Sequence, residues 1–181
     1  MIKIKRMRDT MTKRTAGYEH IMTRDRHTFE IGEYETGNHI VTLINNHRAR
    51  NTTYNNVMKF LERDKTDLMV YVPGNFMCAD FASTVHNNAE KAGIRCGYAR
   101  VHYDNCRYTH ALNAFYTTDK GLIFTDSTGV EFNDDYQFNE CNDVTTDIRK
   151  NEMIRGTAID GTRTFTIDSE EHGVEKTQVF W

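Results

Sequence analysis

The fold class that this sequence predicts is α+β, with a long helix packed on an antiparallel sheet. Three observations carry the prediction. Between Pro73-Gly74 and Gly93, the apolar residues Cys78, Phe81, Ala82, Val85 and Ala89 recur at i, i+3, i+4, i+7 and i+11, the spacing of one buried helix face. Directly afterwards, Ile94–His102, His110–Tyr116 and Leu122–Asp126 read as successive strands, the last two joined by a turn at Asp119-Lys120-Gly121. Strands linked by so short a turn pair antiparallel. Finally, a chain of 181 residues is long enough to bury a core as one domain, which sets the expected domain as 1–181.

The elements follow in order. Met1 to Arg14 holds six basic residues against the single acid Asp9, and reads as a solvated tail or edge strand rather than a nucleic-acid arm. His27–Tyr34 alternates through Phe29 and Ile31 as a strand; His39–Ile44 is a stronger one, ended by Asn45-Asn46. Thr52 or Thr53 caps a helix over Tyr54–Arg63, whose stripe is Tyr54, Val57, Met58 and Leu61 with Phe60 alongside. Asp64–Asp67 is a loop, and Leu68–Tyr71 leads into the turn before Cys78. Asn75 suits the N-cap of the following helix, and Gly93 its C′ position. Asp80, Ser83, Thr84, Asn87, Asn88, Glu90 and Lys91 fall mainly on the other face of that helix, with His86 turned to solvent. Glu131 to Asp143 carries five acids without the spacing of a calcium loop, and reads as a solvated acidic loop. Thr157–Ile167 is a hairpin turning at Asp160-Gly161, and Thr177–Trp181 a last strand. These late strands extend the sheet or wall off a substrate.

Composition removes several classes. No run of 18 apolar residues occurs, so no membrane helix is expected. The basic first eight residues lack the apolar stretch of a secretory signal, so the cytoplasm is the expected location. Cysteines stand at 78, 96, 106 and 141 with no C-x-x-C pair, and a disulfide framework is not expected in that compartment. Neither the net charge of -3 nor any repeat or heptad array points to a partner or an oligomeric state.

One constellation carries chemistry. Cys78 lies in the first turn of its helix, where unpaired N–H groups and the positive end of the dipole favour a thiolate. His110 starts one arm of the hairpin and Asp126 ends the other, so antiparallel pairing brings them near each other, given a bulge or a longer loop at the turn. A carboxylate there orients the imidazole, and the imidazole takes and returns the thiol proton. The Cys78 N–H is one natural donor to an oxyanion, with the side chains of Asn75 and Asn113 as further candidates. His102, Cys106 and His110, at i, i+4 and i+8, form a competing zinc-ligand trio. They straddle a strand–loop–strand and lack an evident fourth ligand, so neither metal nor cofactor is expected.

These residues resemble the transglutaminase-like superfamily of cysteine peptidases and acyltransferases. The matching positions are Cys78 with Asp80 and Ala82, Gly93-Ile94-Arg95, His110-Ala111 and Asp126-Ser127-Thr128, covering about a third of the chain. With Tyr71-Val72-Pro73 and His110-Ala111-Leu112-Asn113, the stretch looks most like predicted archaeal and bacterial proteases of the group. Leu112 stands where many members carry Trp, and Met77 where many carry Gly. The resemblance implies a papain-like or transglutaminase-like core over about 54–130 with β-rich extensions on both sides, and a Cys78–His110–Asp126 triad. The implied activity is peptide, isopeptide or amide hydrolysis on a protein or peptide substrate. A crosslinking transglutaminase, or a binding module that keeps the fold without activity, is the alternative.

Overall fold

The computed structural model describes the chain except for residues 1–12, 16–17, 24–25, 32–38, 105–106, 108, 129, 132–143, 160, 162–163 and 167–171. Four strands come first: β1 (Lys13–Thr15), β2 (Tyr18–Ile21), β3 (Arg26–Ile31) and β4 (His39–Ile44). Helix α1 (Tyr54–Leu61), a 3-10 turn at Thr66–Leu68, strand β5 (Val70–Tyr71) and helix α2 (Cys78–Lys91) follow. The rest is β: β6 (Gly97–Tyr103), β7 (Thr109–Thr117), β8 (Gly121–Asp126), β9 (Val130–Glu131), β10 (Val144–Asp147), β11 (Arg155–Ala158), β12 (Thr164–Thr166) and β13 (Val174–Phe180). The architecture is α+β. The acidic loop expected over 131–143, the basic arm expected over 1–14, and Cys106 and Cys141 lie almost wholly outside the described residues; the end of the arm, Lys13-Arg14, enters β1.

Local chemistry sets the helix ends. Thr53 caps α1, its hydroxyl accepting from Asn56 N at 3.3 Å. The cap of α2 is Met77, not Asn75. Pro73-Gly74 makes the expected turn, with Gly74 at φ 72°, but the chain needs two more residues to reach the helix. Asp80, at the third helical position, then reaches back and accepts from Met77 N at 2.9 Å, which is half of a capping box. At the other end Gly93 takes φ 81°, with Ile94 N donating to Ala89 O at 2.9 Å and Gly93 N to Glu90 O at 3.0 Å. Those two bonds are the Schellman pattern, and Ile94 packs into the same apolar cluster as Ala89.

Among the described residues one sheet runs β1-β2-β13-β6-β7-β8-β10-β11-β12, antiparallel at every pairing except the parallel β2–β13. β3–β4 and β5–β9 form separate two-stranded sheets. Alternation along β6 and β7 gives the large sheet two apolar faces. On one, Tyr98, Ala111 and Phe115 meet the two helices; on the other, Ala99, Val101, Leu112 and Ala114 pack with Phe124, Val179 and Trp181. Around this second core the sheet curls until the segment after β10 reaches β13. Asn151 N donates to Val174 O (2.8 Å), and the Tyr18 hydroxyl donates to Ile148 O (2.8 Å).

The far side of α2 is covered too, which corrects the expected solvent face. Val41 and Leu43 of β4 pack on Ala79 and Ala82, so the helix is held between the β3–β4 hairpin and the large sheet. His86, read from sequence as turned to solvent, is therefore buried, as are Ser83 and Glu90 on the face opposite the apolar stripe. His86 meets Asn45 Oδ1 through Nε2 at 2.9 Å. Glu90 accepts from Cys96 N and Asn46 N, each at 2.8 Å. No helix among the described residues is long and apolar enough to cross a membrane.

Candidate active site

Cys78 is the first residue of α2. Intrahelical bonding begins with Asp80 N and Phe81 N donating to Met77 O (2.8 and 3.0 Å), so the N–H groups of Cys78 and Ala79 precede the first bonded turn. The cysteine is half-buried against Ala79, Ala82, Tyr98 and Ala111. Ala111 adjoins His110 on β7, and this packing sets the sulfur beside the start of that strand.

The β7–β8 hairpin supplies the other two groups. A longer loop is realised at the turn: Thr117 pairs with Gly121 across three residues, and Gly121 adopts φ 74°. The register then runs without a slip to Asn113↔Thr125. Continued one pair further, it places Asp126 across from Leu112, one diagonal step from His110 and on the same face. His110 Nε2 meets Asp126 Oδ2 at 2.5 Å, with the side chains 17% and 7% exposed. Cys78 lies close enough to act on the imidazole, favouring its charged form. With Nε2 committed to the carboxylate, Nδ1 is the ring nitrogen left for the sulfur.

The second carboxylate oxygen is held as firmly. Asp126 Oδ1 accepts from Thr128 N at 2.9 Å and from the Thr128 hydroxyl at 2.6 Å. Burial pushes Asp126 upward, but the His110 charge and hydrogen bond and the two bonds from Thr128 carry it below the usual carboxylate range. Burial likewise opposes a charged His110. The Asp126 charge and hydrogen bond, joined by contact with Cys78, outweigh it and raise the imidazole well above its ordinary value. The pair is thus an imidazolium against a carboxylate.

The other sequence candidates fall elsewhere. Asn113 is fully buried under α2, its amide donating to Ala82 O at 2.8 Å and to Cys96 Sγ at 3.4 Å. It ties helix to sheet and lines no groove. Asn75 sits exposed in the turn, three residues before Cys78. His102 Nε2 meets Gln178 Oε1 at 3.0 Å, and Cys106 lies outside the described residues. Among the described residues no group of three or more His, Cys, Asp or Glu is placed to hold a metal.

Sequence reasoning assigned no part to Thr128, Tyr98 or the cap made by Asp80. The first and last had local signals: Asp-x-Thr at a strand end favours a side-chain-to-backbone turn, and an acid three residues after the cap residue is a helix-start signature. Tyr98 had none, because its place beneath Cys78 depends on how α2 crosses β6. Its hydroxyl is pushed above the usual range by burial and then by Cys78, with Asp80 adding and Arg100 opposing. Comparisons with protein-family models, with curated proteins and with solved structures find no match.

Proposed function

We propose that this protein is a thiol acyl-transfer enzyme acting on amide bonds, a cysteine peptidase or amidase built on a transglutaminase-like, papain-like core. The observation that carries the reading is His110 meeting Asp126 through Nε2 at 2.5 Å, with Cys78 close enough to favour the charged imidazole. Sulfur attacks the amide carbonyl carbon, and the Cys78 N–H at the open start of α2 steadies the oxyanion. His110 gives its proton to the amine as the C–N bond breaks, leaving a thioester. It then takes a proton from water, whose oxygen attacks the thioester, and sulfur leaves as the acid forms. Asp126 keeps the imidazole in one orientation and supports its charged form without exchanging a proton.

Alkylation by iodoacetamide at neutral pH, read by mass spectrometry, tests the reading. Cys78 should react faster than Cys96, Cys141 or a small free thiol, and His110→Ala should remove most of that advantage. A sluggish Cys78 would point instead to a binding module on the same fold. On any substrate found, Cys78→Ala should abolish turnover, and the Cys78/His110 double variant should be scarcely worse than either single one.

A further inference from the structure

Among the described residues the sheet face in front of Cys78 carries Arg100 on β6, with Lys176 of β13 exposed further along the same face. Tyr98 and Ala111 pack beneath the cysteine. On β6 the next residue on the Tyr98 face is Arg100, which lies opposite Ala111. Two residues along a strand is about 7 Å. Arg100 is half-buried, and its Nε donates to the Thr109 hydroxyl at 3.3 Å, one residue before His110. That bond fixes the side chain on the Tyr98–Ala111 face that Cys78 packs against, and uses one of the five guanidinium N–H groups. Among the described residues Arg100 forms no ion pair. The nearby carboxylates are committed elsewhere: Asp126 to His110 and Thr128, Asp80 to the Met77 N–H, and Glu19 to the Gln178 amide at 2.8 Å. Tyr98 senses Cys78, Arg100 and Asp80 together, which places them in one neighbourhood.

We infer that the site takes amides carrying a carboxylate close to the scissile bond, and that Arg100 selects them. The inference rests on the acyl-transfer reading above. A planar guanidinium fork matches a carboxylate with two parallel bonds, and Arg100 is a half-buried cation without an ion pair among the described residues, on the face that Cys78 packs against. The carboxylate belongs either to an acidic side chain or to the free end of a peptide.

The test is the ratio of Cys78 alkylation rates by iodoacetate, an anion, and by iodoacetamide, its neutral analogue. Arg100→Gln should lower that ratio about three- to tenfold, the effect of one charge removed at this range in a partly screened site. Arg100→Lys should restore part of it. Protection of Cys78 from iodoacetamide then separates the two sources. Stronger protection by N-acetylglutamate α-amide than by N-acetylalanine marks an acidic side chain, and the reverse marks a chain end. Equal protection by neutral N-acetylglutamine α-amide overturns the inference. A fast Cys78 whose ratio ignores Arg100→Gln overturns it alone, whereas a sluggish Cys78 overturns the acyl-transfer reading and this inference with it.

Discussion

Asp126 has every oxygen accounted for, and that makes Thr128 the most informative residue to change. The Thr128 hydroxyl stabilises the carboxylate and fixes its rotation, so that Oδ2 faces His110. A hydrogen bond to a charged group is worth roughly 1.5–3 kcal/mol, so losing it should let the Asp126 carboxyl titrate higher and, with its rotation freed, weaken the upward pull on His110. Thr128→Val should show this in an NMR titration of the ring, and Thr128→Ser should not. An unmoved His110 in the valine variant would reduce Thr128 to a turn residue. Asp126→Asn removes the charge as well; it should lower the imidazole further and, under the proposed acyl transfer, cost less activity than His110→Ala, because there Asp126 exchanges no proton. The order Cys78, His110, Asp126 was legible because each sits on an element with strong local periodicity. The diagonal step between His110 and Asp126 was not, since it depends on how many residues the turn spends.

Helix α2 shows where pattern reading stops. Its apolar stripe and its glycine stop were plain. His86 looks like a surface residue until the β3–β4 hairpin is laid over that side, which buries it with Ser83 and Glu90 while Asn88 and Lys91 stay exposed. Glu90 then becomes a tie between three segments, accepting from Asn46 N after β4 and from Cys96 N before β6. Glu90→Ala leaves two N–H groups without acceptors, one of them on a fully buried residue. At about 1–3 kcal/mol each, the expected loss is about 2–6 kcal/mol in urea unfolding. A loss below about 1 kcal/mol would mean that water replaces the carboxylate.

The whole molecule should weaken in mild acid, and His86 is a main reason. Fully buried against Asn45, it is pushed by burial from 6.5 down to about 4, with the Cys96 backbone opposing. Between those values the unfolded chain binds a proton that the folded chain refuses. Stability from His86 is therefore full above about pH 6.5 and is lost as pH falls toward 4. The shift corresponds to about 3 kcal/mol. The raised His110 has the opposite sign: its contribution is present below pH 6.5 and fades as pH rises through its folded value. Urea unfolding at pH 7 and pH 4 of the native chain and of His86→Gln isolates the term. The native chain should lose about 3 kcal/mol more than the variant, and parallel losses would assign the acid sensitivity to other groups.

By itself the sequence determined the α+β class, the extents of α1 and α2 to within a few residues, and the β7–β8 and β11–β12 hairpins. These rest on periodicity, caps and turn residues, all of which act between neighbours in the chain. The tertiary structure alone decided that β13 lies between β2 and β6, that the sheet curls to carry a second core, and that α2 is covered on its polar side. It also decided that Met77 rather than Asn75 starts that helix and that Asn113 serves packing rather than the site. Such choices come from many weak contacts between residues far apart in sequence. A polar side chain carries no local sign of whether water or a buried partner will satisfy it.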